Sequence, residues 1–261
     1  DYKKIHNAYV DSAAGSLSYS EGINDDVNKF VWSDQDWDPK ISVKDTLRDY
    51  ARLFISPNHV EQISEGLLGL ERNWRGPIAS NTDIYATHSI WKSLEHELPD
   101  ETTSNYRLAM PMMRSYFDEY IRRRLHFEKG VEEQVITLIE NLSADTSSEK
   151  IAQISETIQK KLPQEISCLK ERCTKHADRA FDLIRWQTSV TRHKGQAIVR
   201  GCFLDAIDFP ISDLPYFLQT LNEVTDPSTF HSIFSNALQR SRPSTRGHFL
   251  NLNSVEDKAE V

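Results

Sequence analysis

The chain has 261 residues, enough for one large domain or two ordinary ones, and 39 acidic against 31 basic side chains leave a net charge of −8. A freestanding nucleic-acid binder carries a basic excess, so the sign of the charge argues against that class; no apolar run approaches the ~20 residues of a membrane helix. Nine glycines are about half the usual ~7%, a shortage that favours helices over turn-rich β structure.

Residues 2–14 predict a short helix with Tyr2, Ile5, Tyr9 and Val10 near one face, stopped by Gly15. Ser16–Tyr19 reads as a brief extended segment, and Ser20-Glu21-Gly22 as a break. The next helix takes Asn24 as N-cap and places Asp25 and Asp26 in its first turn, where carboxylates favour the positive end of the dipole. Val27, Phe30 and Val31 form its apolar face, and Ser33–Pro39 reads as a polar loop holding Trp37. Ser42 with Asp45 resembles a capping box ahead of Val43, Leu47, Tyr50, Ala51 and Phe54. Ser56-Pro57 reads as an N-cap with proline at N1 before Val60–Leu70. Asn73-Trp74-Arg75-Gly76-Pro77 then ends that helix, with its glycine just beyond the terminus.

Asn81 or Thr82 starts another helix, carrying Ile84, Ile90, Trp91, Leu94 and Leu98 up to Pro99. Tyr106–Leu142 is long and strongly periodic, with Pro111 as a kink or a second start. Phe117, Ile121 and Leu125 recur at four-residue spacing as one core stripe. Together with Trp74 and Trp91 they are expected to be mostly buried, with Arg123 more exposed than its neighbours. A linker is expected at 143–149, where Asp145–Glu149 has little apolar content. Helices resume over Ile151–Leu162, Gln164 to about Lys194, Leu214–Val224 and Phe230–Arg240, and the tail after Arg242 is polar. No strand alternates with these helices, so nothing supports a complete α/β barrel or doubly wound sheet. The fold class is mainly α, a helical bundle-like array.

Few residues suggest chemistry. A carboxylate leaving a short strand before a glycine is how barrel enzymes display an acid at the strand's C-terminal mouth, which nominates Glu21 as catalytic. Asp25 and Asp26 stand near enough to join it, since glycoside hydrolysis needs paired carboxylates of different pKa. The competing reading is that both aspartates merely cap a helix and Glu21 is a surface acid. Tyr19, Trp37 and Trp74 are candidate substrate contacts, the two tryptophans as sugar-stacking platforms flanking loops, although aromatic side chains more often serve the core. Arg122, Arg123 and Arg124 point 100° apart in succession and read as a solvated face or as ion pairs to Glu119 and Glu128. Asp205 and Asp208 read as caps of the segment that follows them. No Ser–His–acid order, phosphate-binding glycine loop or His-x₃-His pair is present, and His96 has the wrong facing for a compact metal site. No metal or cofactor is implied. Cys168, Cys173 and Cys202 are too few for a disulfide framework and read as small buried residues.

Several strings together resemble a family. Tyr19-Ser20-Glu21-Gly22-Ile23-Asn24-Asp25-Asp26-Val27-Asn28-Lys29 is similar to a segment of large bacterial glycoside-hydrolase-like proteins, near the end of a (β/α)₈ barrel and leading into a helical C-terminal region. Asn73–Pro77, Tyr120–Arg124 and Arg200–Pro210 resemble later landmarks of the same proteins, and the similarity spans most of residues 16–215. The resemblance implies that residues 1–40 are the remnant of a barrel end and residues 41–261 a helical accessory domain. It also implies that the main N-terminal barrel domain lies outside this chain, and that the fragment does not turn over its carbohydrate substrate alone. A secreted or periplasmic location follows from the resemblance only. One departure stands out: an aromatic followed by paired aspartates is expected near the C-terminus, and this chain has His248-Phe249-Leu250-Asn251-Leu252. The alternative function is a noncatalytic helical scaffold or protein-interaction module.

Overall fold

The structure, a computed structural model, describes residues 2–17, 19, 26–98, 104–142, 148–224 and 229–237. It is mainly helical, and the described residues include no strand. Ten helices in chain order are α1 (Tyr2–Tyr9), α2 (Asp26–Trp37), α3 (Val43–Phe54), α4 (Val60–Arg72), α5 (Asp83–Glu97), α6 (Tyr106–Glu140), α7 (Ser148–Ile158), α8 (Gln164–Ile184), α9 (Val190–His193) and α10 (Leu214–Glu223). A further helix, α11, covers 230–237.

The chain divides into two compact units. The first comprises Asp1–Arg75, Asn81–Glu119 and Leu169–Ala206; the second comprises Gly76–Ser80, Tyr120–Cys168 and Ile207–Val261. The first unit therefore takes in residues on both sides of residue 40. Of the expected linker 143–149, only Ser148 and Glu149 are described, and they open α7.

The expected barrel remnant is not supported. Residues 16, 17 and 19 are irregular. An isolated strand leaves its N–H and C=O groups without partners, and here the segment is held by side chains instead. The Ser16 hydroxyl donates to Asp36 Oδ1 at 2.5 Å and accepts from the Trp32 indole at 3.1 Å. The predicted polar loop at 33–37 is also helix, the last turn of α2. Its polar residues find partners that let the turn continue: Gln35 is fully buried and donates to the Ile41 carbonyl at 3.2 Å. Lys3 Nζ reaches Gln35 Oε1 at 2.9 Å and the Pro39 and Ile41 carbonyls at 2.6 Å each, fastening α1 to the end of α2.

The first unit's core joins Ala51, Ile63, Trp91, Leu94, Leu98, Leu108 and Met112 from α3 to α6. Two glycines let α4 and α5 approach closely. A Cβ on Gly66 would lie 2.8 Å from Trp91 Cε2, and one on Gly69 2.3 Å from Thr87 Oγ1. Trp91 is fully buried and donates its indole N–H to the Gly66 carbonyl at 3.1 Å, which satisfies its one polar atom. The expected capping box at Ser42 is not made: that side chain forms no cap hydrogen bond, and Asp45 pairs with Arg48 at 2.7 Å. Likewise α4 begins at Val60 rather than at Pro57, with Ser56 Oγ 3.1 Å from His59 Nδ1 in the preceding turn. Asn105 and Asn81 do cap, accepting the N–H groups of Arg107 and Asp83 at 2.9 Å each. Gly76, at φ 70°, follows the end of α4 in the left-handed region as expected. Pro111 starts no second helix; α6 runs through it for 35 residues.

The second unit packs Val131, Val135 and Ile139 of α6 against Ile154 and Ile158 of α7, Phe217 of α10, and Phe230 and Phe234, whose rings stack at 4.5 Å. The expected stripe on α6 is displaced by one position. Phe117, Ile121 and Leu125 are half-buried, while Tyr116, Tyr120 and Arg124 are buried. Arg123 falls in the same partly exposed class as Arg122. Arg124 is buried because its guanidinium binds Glu128 Oε1 at 2.5 Å and the Ile207 and Phe209 carbonyls at 3.0 and 3.1 Å. Asp208 accepts the Tyr120 hydroxyl at 2.9 Å.

Candidate functional site

A cavity of about 800 Å³ opens within the first unit, lined by residues of α1 to α4, the start of α6, and Trp186 and Phe203. Its charged wall is built around Asp26, the first residue of α2. Arg107, in the first turn of α6, grips that carboxylate with Nε at 2.7 Å and Nη2 at 3.2 Å, and the Tyr50 hydroxyl of α3 donates to the same Oδ2 at 2.6 Å. The Arg107 guanidinium lies 4.7 Å from the Phe54 ring centre and 4.5 Å from that of Tyr106, so cation–π attraction and a bidentate ion pair hold one geometry. Burial, then the neighbouring carboxylate, raise the Tyr50 hydroxyl far above its ordinary range, and it stays a donor.

The lining also includes Glu71, Trp74 and Arg75 from the end of α4. Trp74 is 71% exposed, against the expectation of burial. It lies beyond the last turn of α4, where Asn73 rather than Trp74 turns inward: Asn73 is buried and its amide donates to Asp118 at 2.9 Å. Arg114 of α6 sits 4.5 Å from the Trp74 ring centre and pairs with Asp118 Oδ1 at 2.7 Å.

Of the residues nominated from the sequence, Asp26 and Trp74 come together as lining of this one cavity. Tyr19 and Trp37 are 83% and 89% exposed and lie outside its lining. Glu21 and Asp25 fall outside the described residues. Sequence reading missed Tyr50, Tyr106, Arg107 and Arg114. The partner of Asp26 lies 81 residues away, a distance over which no local pattern connects them.

Two other clusters were also invisible in the sequence. Glu95 of α5 accepts from Tyr116 at 2.5 Å, Arg172 at 3.0 Å and His176 at 3.1 Å. Burial pushes its carboxyl up, but His176 and Tyr116 hydrogen bonds and the Arg172 charge outweigh that and hold it down at about 2. In the other cluster, Thr188 Oγ1, His193 and Asp178 follow the hydroxyl–imidazole–carboxylate order, at 3.1 and 3.0 Å. Thr188 is fully buried and its own N–H also points at the imidazole, at 3.3 Å, so no substrate reaches the hydroxyl. This is a staple for the loop after α8. Asp205 completes it by accepting the Ser189 hydroxyl and the Val190 N–H at 2.6 and 2.7 Å, which caps α9. Cys173 and Cys202 are fully buried, whereas Cys168 is exposed. Burial pushes the Cys173 thiol up to about 12, which removes it as a nucleophile.

Among the described residues no group of three or more His, Cys, Asp or Glu side chains is placed to hold a metal, and no helix is long and apolar enough to cross a membrane. No family model matches the chain, and no curated protein or solved structure matches it.

Proposed function

We propose that the chain is the helical C-terminal part of a glycoside-hydrolase-like protein, inactive by itself, and that the cavity of its first unit holds a saccharide. The observation that carries this reading is that Asp26 and Trp74, both nominated as site residues from the sequence, line one cavity. Saccharide sites combine an aromatic face for the apolar side of a pyranose with fixed polar groups for its hydroxyls. Trp74 and Tyr106 supply the first, and the Asp26–Arg107 pair the second.

The same geometry argues for binding without turnover by these residues. Asp26 accepts three hydrogen bonds from Arg107 and Tyr50, so it is a fixed anchor rather than a nucleophile or a proton donor. In this reading Glu21 and groups outside this chain would supply the chemistry, and the whole protein would work in a secreted or periplasmic setting. Exposure of Ile5, Tyr9, Leu17 and Trp37 favours the second reading, a protein-interaction module.

Calorimetric titration with plant and algal oligosaccharides tests the proposal. A ligand should be found whose affinity falls about tenfold, ~1.4 kcal/mol, in Trp74→Ala with the melting temperature unchanged. The absence of binding to any saccharide, or an unchanged affinity in Trp74→Ala, would refute it.

A further inference from the structure

Resting on that reading, we infer that the saccharide is acidic, a uronate whose carboxylate is received by Arg114 and Arg75 beside Trp74. The chain carries a net charge of −8, yet the cavity reverses that sign. Lys3, Arg75, Arg107 and Arg114 line it, against the carboxylates of Asp26 and Glu71 and that of Asp118, which pairs with Arg114. A concave wall concentrates the field of its charges, so this local excess attracts anions despite the overall balance.

Hydrogen-bonding capacity points the same way. The acceptors of the lining are engaged: both oxygens of Asp26 are held by Arg107 and Tyr50, and Glu71 Oε1 faces Arg75 Nη2 at 3.5 Å. Two of the donors, Arg114 and Arg75, are less engaged. Arg114 gives Nη2 to Asp118 and its Nε is buried, while its side chain as a whole stays 30% exposed. Among the described residues the Arg75 side chain has the long contact to Glu71, and it is 64% exposed. Lys3 has all three N–H groups on neutral oxygens, so its positive charge is uncompensated by them.

A neutral sugar brings hydroxyls that donate as well as accept, and it would leave this donor-rich wall poorly matched. A carboxylate only accepts and fits the guanidinium fork. Trp74 meanwhile offers its indole to the ring of the same sugar unit, with Arg114 4.5 Å from its centre and Arg75 next in the chain.

The test titrates the whole chain with hexagalacturonate and with its methyl ester, the same sugar without charge, at low and physiological salt. The acid should bind at least tenfold more tightly than the ester at low salt, with the ratio shrinking as salt is added. Arg75→Gln should narrow the acid-over-ester ratio about threefold, and Arg114→Gln should bring it close to one. Equal or tighter binding of the ester overturns the acidic assignment and leaves the saccharide reading standing. An acid preference that survives both substitutions overturns the assignment to these arginines. Failure of both oligosaccharides to bind overturns the acidic assignment, and the saccharide reading then stands or falls with the wider oligosaccharide titration.

Discussion

Replacing Glu95 by Gln keeps the shape of the side chain and removes its charge, and the first unit should lose about 3 kcal/mol of stability at pH 7. The magnitude comes from the carboxyl's position. It is 13% exposed and held at about 2 against an ordinary value of 4.5. At ~1.36 kcal/mol per unit, a displacement of about 2.5 units corresponds to ~3 kcal/mol of stability linked to ionisation. The loss falls on three donors at once, since Tyr116, Arg172 and His176 all converge on this carboxylate. Because the folded value lies below the unfolded one, the contribution is present in full above about pH 4.5 and disappears as pH falls toward about 2. Urea unfolding followed by tryptophan fluorescence, at pH 7 and at steps down to pH 3, reads both signs. The gap between wild type and Glu95→Gln should be nearly constant from pH 7 to 5 and clearly smaller at pH 3. A gap below ~0.5 kcal/mol at pH 7, or one that widens with acid, would show that Glu95 is not the ionised hub of this cluster.

Three further outcomes test the packing and the site. Gly66→Ala should cost about 1–3 kcal/mol, because the new Cβ would meet the buried Trp91 ring at 2.8 Å; an unchanged urea midpoint would contradict the close approach of α4 and α5. Arg107→Gln should cost about 2–4 kcal/mol in the same assay by leaving the mostly buried Asp26 carboxylate without its cation, and Asp26→Asn in that background should recover part of the loss. His6 is raised by its hydrogen bond to Asn7 and, against the opposing effect of burial, by Asp36. Its contribution is therefore complete below its unfolded value of 6.5 and lost as pH rises through the higher folded one. Amide protection factors in α1 should drop over that window, and protection flat from pH 6 to 9 would contradict the role of His6 in holding α1 on α2.

Helices were legible in the sequence wherever apolar periodicity and a stop coincided, as from Val43 to Phe54 and from Ile84 to Leu98. Reading failed where polar side chains supplied the continuity. Asp34, Gln35 and Asp36 look like loop residues in one dimension, yet they extend α2 because Thr46, Lys3 and His6 satisfy them from other elements. The offset on α6 has a similar origin: Arg124 looks like a surface cation until the carbonyls of Ile207 and Phe209, more than 80 residues on, give it an interior role. In the site, Asp26 and Trp74 carried local signals, a helix start and a helix end. Arg107, Tyr50 and Arg114 carried none, since their meaning depends on a carboxylate or an indole brought close only by folding. Trp74 itself was read two ways, as core and as platform, and its exposure decides for the surface.

The most direct test of the saccharide reading is a crystal structure of the chain with an oligosaccharide selected by the calorimetric screen. The account predicts a pyranose ring against Trp74 with its polar groups toward Arg114 and Arg75, inside the cavity that Asp26 and Tyr106 also line. A sugar bound instead on the exposed Trp37 or Tyr19, with the cavity free of it, would contradict the account.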